Sequence, residues 1–572
     1  MITKDIERQT QSLRNLCLIA HVDAGKTTLA ERMLYACGVI SQMGEVGAGS
    51  TVTDFLPEER ARGISIVSAC VSMPWNGLHL NLVDTPGHID FSSEVWRTLA
   101  VIDGCVVVVS AVDGLEAQTE MVWLRADEHA LPRLIFLNKL DRPESDLLGT
   151  LQSLATRLRV TPILLNIPFY LLDAEDANKA SLTLSKVSGT EPLLGLFDLV
   201  AGEIRTLQAW PKHLSATFKN DLNIKLKELS KNYREDLLAK LAEVDDSFLE
   251  LWVKASFTPS QIRQTIAKCT RELKVVPVFC GAAKLNLGVD LLLDGIIHYL
   301  PNPLEGASLR SKARVWPSKR LEVKDSPRID LKLGSQEDCL AFVWKIIHLG
   351  QKRLACLRLF SGIIQSGATL YSSSTGLGGP IKLFRLAAEQ IDELDLALAG
   401  DLVACSGPNF ALGDTLSATA SSFALAPLLP QPPVLSQTIE PKREQDYPLL
   451  RQALAKCLDE DPSLVVTEDE ATGSYLISGQ GELQLKILLD LLQRELGLAL
   501  QAKAPQVNYR LGLKREVWAE AEVAQKQEQS ELYGLAKLCL EPALNDDLAV
   551  SLKQASWPSE LTFEDQAKFK RL

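Results

Sequence analysis

One feature restricts this chain more than any other: a rhythm of strand and helix. From Asn15 to about Pro301, short β-rich apolar runs ("NLCLIA", "LHLNLVD", "GCVVVVSAV", "RLIFLNKLD", "KVVPVFCGAA") alternate with amphipathic stretches such as "EMVWLRADEHA". Strands that alternate with helices build a mostly parallel sheet covered on both faces. A sheet of this kind binds ligands at the carboxyl ends of its strands, so the residues that follow each run become the candidates.

The rhythm breaks between roughly Val160 and Cys269. The polar and helical stretch there, including "NDLNIKLKELSKNYREDLLAKLAEVDDSFLELWVKA", reads as an insertion because the strand pattern resumes at Val275. "YLPNPLEG" then closes the first domain. From about Cys339 to Ala418, short runs with glycine turns ("CLAFVWKII", "CLRLFSGII", "GATLYSS", "GDLVACSG") carry the pattern of a small barrel. Beyond the linker "LAPLLPQPPVL", the stretch that opens "EQDYPLLRQALAKCLDE" gives helix, strand, strand, helix, an α+β unit. The expected fold class is therefore multidomain: α/β plus β-barrel plus α+β. Its divisions are 1–302 with an insertion at about 160–270, then 303–427, 434–503 and 504–572. A length of 572 residues agrees with roughly four units at about 150 residues each.

Composition removes several classes. No apolar run approaches the roughly 18 residues of a bilayer span, and the N-terminal "MITKDIERQTQSLRN" fits neither a secretory signal nor an organelle presequence, so a cytoplasmic protein without membrane contact is expected. Eleven cysteines run from Cys17 to Cys539 with no C-x-x-C pair, against both a disulfide framework and a zinc site. A net charge of −12 argues against a generally basic nucleic-acid binder but leaves local basic patches open.

The chemistry lies after the first strand, in "AHVDAGKTT", residues Ala20, His21, Val22, Asp23, Ala24, Gly25, Lys26, Thr27 and Thr28. Gly25, Lys26 and Thr27 occupy the glycine-lysine-hydroxyl positions of a phosphate loop, with Ala20 where the generic pattern has its first glycine. In such a loop backbone N–H groups wrap an anion, the lysine meets the β and γ phosphates, and the hydroxyl ligates Mg2+. "NLVDTPGHIDF" follows, with Asp84 at a strand end, then Thr85, Pro86, Gly87 and His88. Asp84 can hold Mg2+ through water, Gly87 lets its N–H approach a γ phosphate, and His88 stands beside an attacking water. "FLNKLD" places Asn138, Lys139 and Asp141 after a further strand. A fixed carboxylate there accepts from guanine N1–H and its amine, which adenine cannot offer, so guanine is favoured. "TDFLPEERARGISI" is a charged segment whose Ser65 is the candidate second hydroxyl on the metal, and "CGAAK" offers the amides of Ala282 and Ala283 to the guanine carbonyl.

With these motifs in order, the chain resembles the translational GTPases, and within them elongation factor G and its relatives. "AHVDAGKTT", "RGISI", "DTPGHIDF" and "NKLD" are followed by "FSGIIQSG", "SGQGELQLKILLDLLQRELG" and "PQVNYR", so the resemblance runs from about residue 12 to residue 509. It implies a phosphate-loop GTPase domain with an inserted subdomain, a translation-factor β-barrel and a ferredoxin-like third domain. It also implies GTP/GDP and Mg2+ as ligands, catalysis by His88, Lys26 and Asp23, and metal ligation by Thr27, Ser65 and Asp84. The partner it implies is the ribosome, both RNA and protein, met by a monomer, with tRNA and mRNA reached indirectly.

The chain departs from the pattern at Ser65, where relatives have threonine, at Ala282, where they have serine, and at Gln484, where they have histidine. It also stops in "LTFEDQAKFKRL", soon after a fourth domain would begin, which reads as a C-terminally truncated member. Two readings stay open: a ribosome-dependent GTPase in translocation, recycling or ribosome protection, and a GTP-binding switch or shortened paralogue without translocation.

Overall fold

The computed structural model describes residues 2–172, 181–184, 186, 191–206, 224–310, 316–317, 338–350, 352–387, 390–419, 423–425, 431–468, 474–497, 499–504, 516–527 and 530–540. The chain divides into two compact units, Met1–Pro505 and Gln506–Leu572. The motif "PQVNYR" and the closing "LTFEDQAKFKRL" lie outside the described residues.

The elements of the first region are α1 (Ile2–Gln11), β1 (Leu13–Ala20), α2 (Lys26–Ala36), α3 (Pro57–Arg62), β2 (Ala69–Trp75), β3 (Leu78–Asp84), α4 (Ser92–Leu99), β4 (Gly104–Ser110), α5 (Ala117–Glu128), β5 (Arg133–Asn138), α6 (Leu147–Arg157) and β6 (Pro162–Leu164). The sheet order is β2-β3-β1-β4-β5, then strand Val276–Cys280, then β6. All pairs are parallel except β2 with β3. Every residue of β1, β4 and β5 is buried, as expected of central strands covered on both faces, which is why their middles read as apolar runs. β2 shows the interrupted burial of an outer antiparallel strand.

The insertion differs from the helical segment expected. It contains a four-stranded antiparallel sheet, ordered Ile204–Thr206, Leu193–Asp198, Asn166–Leu172 and Ser181–Thr183, besides helices Lys231–Val244, Asp246–Val253 and Pro259–Arg271. β6 lies within the expected insertion, yet it pairs in parallel with Val276–Cys280 in the main sheet.

Strands from Leu340–Leu349 to Thr415–Ser417 form antiparallel pairs around a separate core of Val343, Leu357, Leu359, Ile364, Leu383 and Phe410. Ala387 pairs with Val71 of β2. Arg358, buried, joins this region to the first: it donates to both Asp103 carboxylate oxygens at 2.9 Å and to the Gly400 carbonyl at 2.9 Å. Asn15 donates to the same Asp103 and Gly400 at 2.7 and 2.8 Å.

From Leu435 to Lys503 the chain order is βαββαβ, with helices Tyr447–Glu460 and Glu482–Leu496 and an antiparallel sheet ordered Val465–Glu468, Tyr475–Gly479, Leu435–Pro441, Leu500–Lys503. The second unit contains a long antiparallel hairpin, Val517–Gln527 with Ser530–Leu540. No helix among the described residues is long and apolar enough to cross a membrane, and the cysteines form no disulfide there.

Candidate functional site

The loops that follow β1, β3, β5 and Val276–Cys280 lie at one edge of the sheet, and a single side chain ties three of them. Asn138, at the end of β5, donates its Nδ2 to the Ala24 carbonyl at 2.9 Å and accepts from the Ala283 N–H at 2.8 Å. Gly25 packs against it so closely that a Cβ would approach Asn138 Nδ2 to 2.3 Å. The φ of +92° at Gly25 is likewise one that a side chain would strain, so the phosphate-loop glycine is required twice over.

Gly25 caps α2, whose first residues are Lys26 and Thr27. Lys26 is buried and donates to Asp84 Oδ1 at 2.6 Å. Burial raises the Asp84 carboxyl above its ordinary range, and Lys26 offsets part of that. Asp84 Oδ2 is buried and has no hydrogen-bond partner among the described residues. Thr27 Oγ1 lies 3.0 Å from Ser65 Oγ, and Ser65 donates to Asp54 Oδ1 at 2.7 Å. Two hydroxyls, an unpartnered carboxylate oxygen and an ammonium are a donor set of hard oxygens and one cation, which suits Mg2+ beside phosphate.

The other expected residues surround this cluster. Asp23 is exposed with φ +63°, and His21 is buried with its Nδ1 3.5 Å from Thr119 Oγ1, its pKa lowered by burial. Thr85 donates to the Leu18 carbonyl at 2.7 Å, and the Gly87 carbonyl accepts from Gln118. His88 Nδ1 accepts the Asp90 N–H at 3.2 Å, which puts the proton of a neutral ring on Nε2. Lys139 pairs with Asp113 at 3.0 Å, while Asp141 is partly exposed just beyond it.

Ala282 and Ala283 lie in the loop that follows Val276–Cys280. The Ala282 N–H donates to the Leu287 carbonyl at 3.0 Å and the Ala283 N–H to Asn138 Oδ1 at 2.8 Å.

Several polar residues here were hidden in the sequence. Glu31 of α2 accepts the Val52 and Thr53 N–H groups at 2.6 and 3.3 Å, and burial raises its carboxyl. Glu59 of α3 accepts three N–H groups, from Leu56, Ile66 and Val67, and burial pushes its carboxyl up to about 7. Asp90 accepts from Leu483 and Gln484 N–H at 2.9 and 3.3 Å, capping helix Glu482–Leu496 from the His88 loop. Gln484, where histidine was expected by resemblance, donates to Asp461 and Ser463 at 2.7 and 2.9 Å and accepts from Gln480 N–H at 2.7 Å.

Two family models match: "Elongation factor Tu GTP binding domain" over residues 11–302 and "Elongation Factor G, domain III" over 429–504. Elongation factor G of Thermotoga maritima is 34% identical over 536 residues, covering 93% of this chain and 73% of the relative. The chain belongs to the elongation factor G family. Elongation factor G 2 of Desulfotalea psychrophila is similar at 35% identity over 541 residues, again 93% of this chain and 73% of the relative. Among solved structures, one from Thermus thermophilus superposes with a TM-score of 0.72 at 25% identity, over 93% of this chain and 73% of the other.

Proposed function

We propose that this member of the family binds GTP and GDP at the Lys26–Thr27–Asp84–Asn138 edge and hydrolyses GTP when a ribosome engages it. The observation that carries this reading is the Lys26, Asp84, Thr27 and Ser65 cluster at the strand ends, with a buried carboxylate oxygen left unpartnered among the described residues. Lys26 would exchange Asp84 for the β and γ phosphates. The N–H groups of the loop from Ala20 to Thr28 would wrap them, with Asp23 alongside. Thr27, Ser65 and Asp84 would hold Mg2+, which supplies neutralisation of the phosphate charge. Each buried charge then keeps a counter-charge, which matters because leaving one buried charge alone costs about 3–5 kcal/mol.

Asp141 reads guanine in this account, and Lys139 and Asn138 shape the base pocket. The commitment of the Ala282 and Ala283 amides gives those residues a scaffolding part. His88 orients the attacking water, and Thr85, Pro86 and Gly87 form the turn that carries it. The His88 ring accepts the Asp90 N–H and the Asp90 carboxylate caps helix Glu482–Leu496, so a movement of that helix would be passed to the loop that carries the ring. A ribosomal contact on the third region would therefore time hydrolysis. The reading includes a monomer in the cytoplasm, tRNA and mRNA met indirectly, and divisions at 1–302, 303–427, 434–503 and 504–572, the second a closed β-barrel and the third ferredoxin-like.

The test is equilibrium binding of fluorescent GTP and ATP analogues to the full chain, with and without Mg2+. Magnesium-dependent binding of the guanine nucleotide alone is expected; equal binding of both would contradict the reading.

A further inference from the structure

Glu59 is fully buried, at 0% exposure, although it belongs to a six-residue helix of otherwise mainly polar residues. Its Oε2 accepts the Leu56 N–H at 2.9 Å, and its Oε1 accepts the Ile66 and Val67 N–H groups at 2.8 and 3.1 Å. Its main-chain carbonyl accepts the Gly63 and Ile64 N–H groups at 2.7 and 3.3 Å. Ser65 is thus bracketed. The two residues before it are bonded to the Glu59 carbonyl, and the two after it to the Glu59 carboxylate.

The reversal between these two sets is made by Gly63, with φ +66°, where a side chain would be strained. Capping α3 requires only the Leu56 bond, so the bonds to Ile66 and Val67 are surplus to a helix cap. Their effect is to fix the backbone that carries the Ser65 hydroxyl, which lies 3.0 Å from Thr27 Oγ1 and donates to Asp54. A carboxylate is needed because all three partners are donors: an amide would turn its NH2 on one of them.

We propose that Glu59 is the positioning residue for Ser65, setting the hydroxyl in place for the GTP-bound site without touching nucleotide. The proposal rests on the GTP and Mg2+ reading above. It separates two nucleotides. GDP is held by the phosphate loop, whereas the segment bearing Ser65 is engaged by the γ phosphate and metal, so loss of Glu59 penalises GTP selectively.

The experiment measures affinities of the full chain for GDP and for a non-hydrolysable GTP analogue in Mg2+, with trypsin cleavage after Arg60 and Arg62 as a second readout. In Glu59→Gln the analogue should bind at least about tenfold more weakly, as loss of a buried hydrogen bond that leaves a donor unsatisfied implies. GDP affinity should stay unchanged, and analogue-dependent protection of the two arginines should disappear. Unchanged analogue affinity with retained protection would overturn the proposal, as would equal loss for both nucleotides. If Glu59→Gln does not fold, Glu59→Asp, which keeps the charge but shortens the reach, is read by the same criteria. Failure of the underlying reading looks different: the wild-type chain would then lack Mg2+-dependent binding of the analogue, and the proposal would fall with it.

Discussion

Single residues decide the site, and they were unequally visible in the sequence. Lys26, Thr27, Asp84 and Asn138 were legible because each stands at a fixed offset from a strand end, and the structure brings Lys26 to Asp84 at 2.6 Å. Glu59 and Asp54 were not, because in "TDFLPEERARGISI" every carboxylate looks like a solvated face and only tertiary packing buries these two. The bonds that the Ala282 and Ala283 amides make to Leu287 and Asn138 were equally hidden, because both partners are fixed only by tertiary packing. Two outcomes follow at this scale. Asp141→Asn should shift preference from guanine to xanthine nucleotides, read by competition binding; an undiminished guanine preference would remove Asp141 from base reading. Arg358→Ala leaves Asp103 buried without its counter-charge and should cost about 3–5 kcal/mol. Chemical denaturation followed at the interface of the first two regions checks it.

At the scale of elements, the central strands were plain from their apolar runs, whereas the insertion was misjudged. Its strands "NIPFYLL" and "LLGLFD" are short apolar runs within a polar stretch, and the long helices around them dominated the pattern. α4 illustrates how an element is anchored by charge. Burial disfavours the Glu94 carboxylate, but Arg97, Lys345 at 3.0 Å and the Ser68 N–H outweigh it, holding its pKa at about 2. A carboxyl depressed on folding contributes stability that is complete above its unfolded value and is lost as pH falls towards the folded one. Stability should therefore fall between about pH 5 and pH 2 by on the order of 3 kcal/mol from this group. Thermal melts of the wild type and Glu94→Gln across that range check it, the variant being expected to show a smaller slope. Glu59, raised to about 7, acts with the opposite sign, its contribution being greatest at acid pH and fading as pH rises towards 7. Helix Glu482–Leu496 depends on a cap from outside its own region. Asp90→Ala should cost about 1 kcal/mol locally and speed hydrogen exchange at the Leu483 and Gln484 amides.

Across the first unit as a whole, the nucleotide edge is wired to the region matched by the domain III model. Arg62 of α3 pairs with Asp490 at 2.6 Å, Arg494 pairs with Glu58, and Arg97 of α4 donates to the Glu460 carbonyl at 2.7 Å. Both loops that would sense the γ phosphate therefore hold the same helix, Glu482–Leu496, and α4 holds Tyr447–Glu460. None of these pairs could be read from sequence, since their partners lie hundreds of residues apart and each charge alone resembles an ordinary surface residue. The most direct test of the account is GTP turnover by the full chain with and without ribosomes, beside His88→Ala. Strong stimulation by ribosomes, reduced on the order of a hundredfold in the variant while GTP binding persists, is the predicted result. GTP binding without ribosomal stimulation, or stimulation undiminished in His88→Ala, would contradict it.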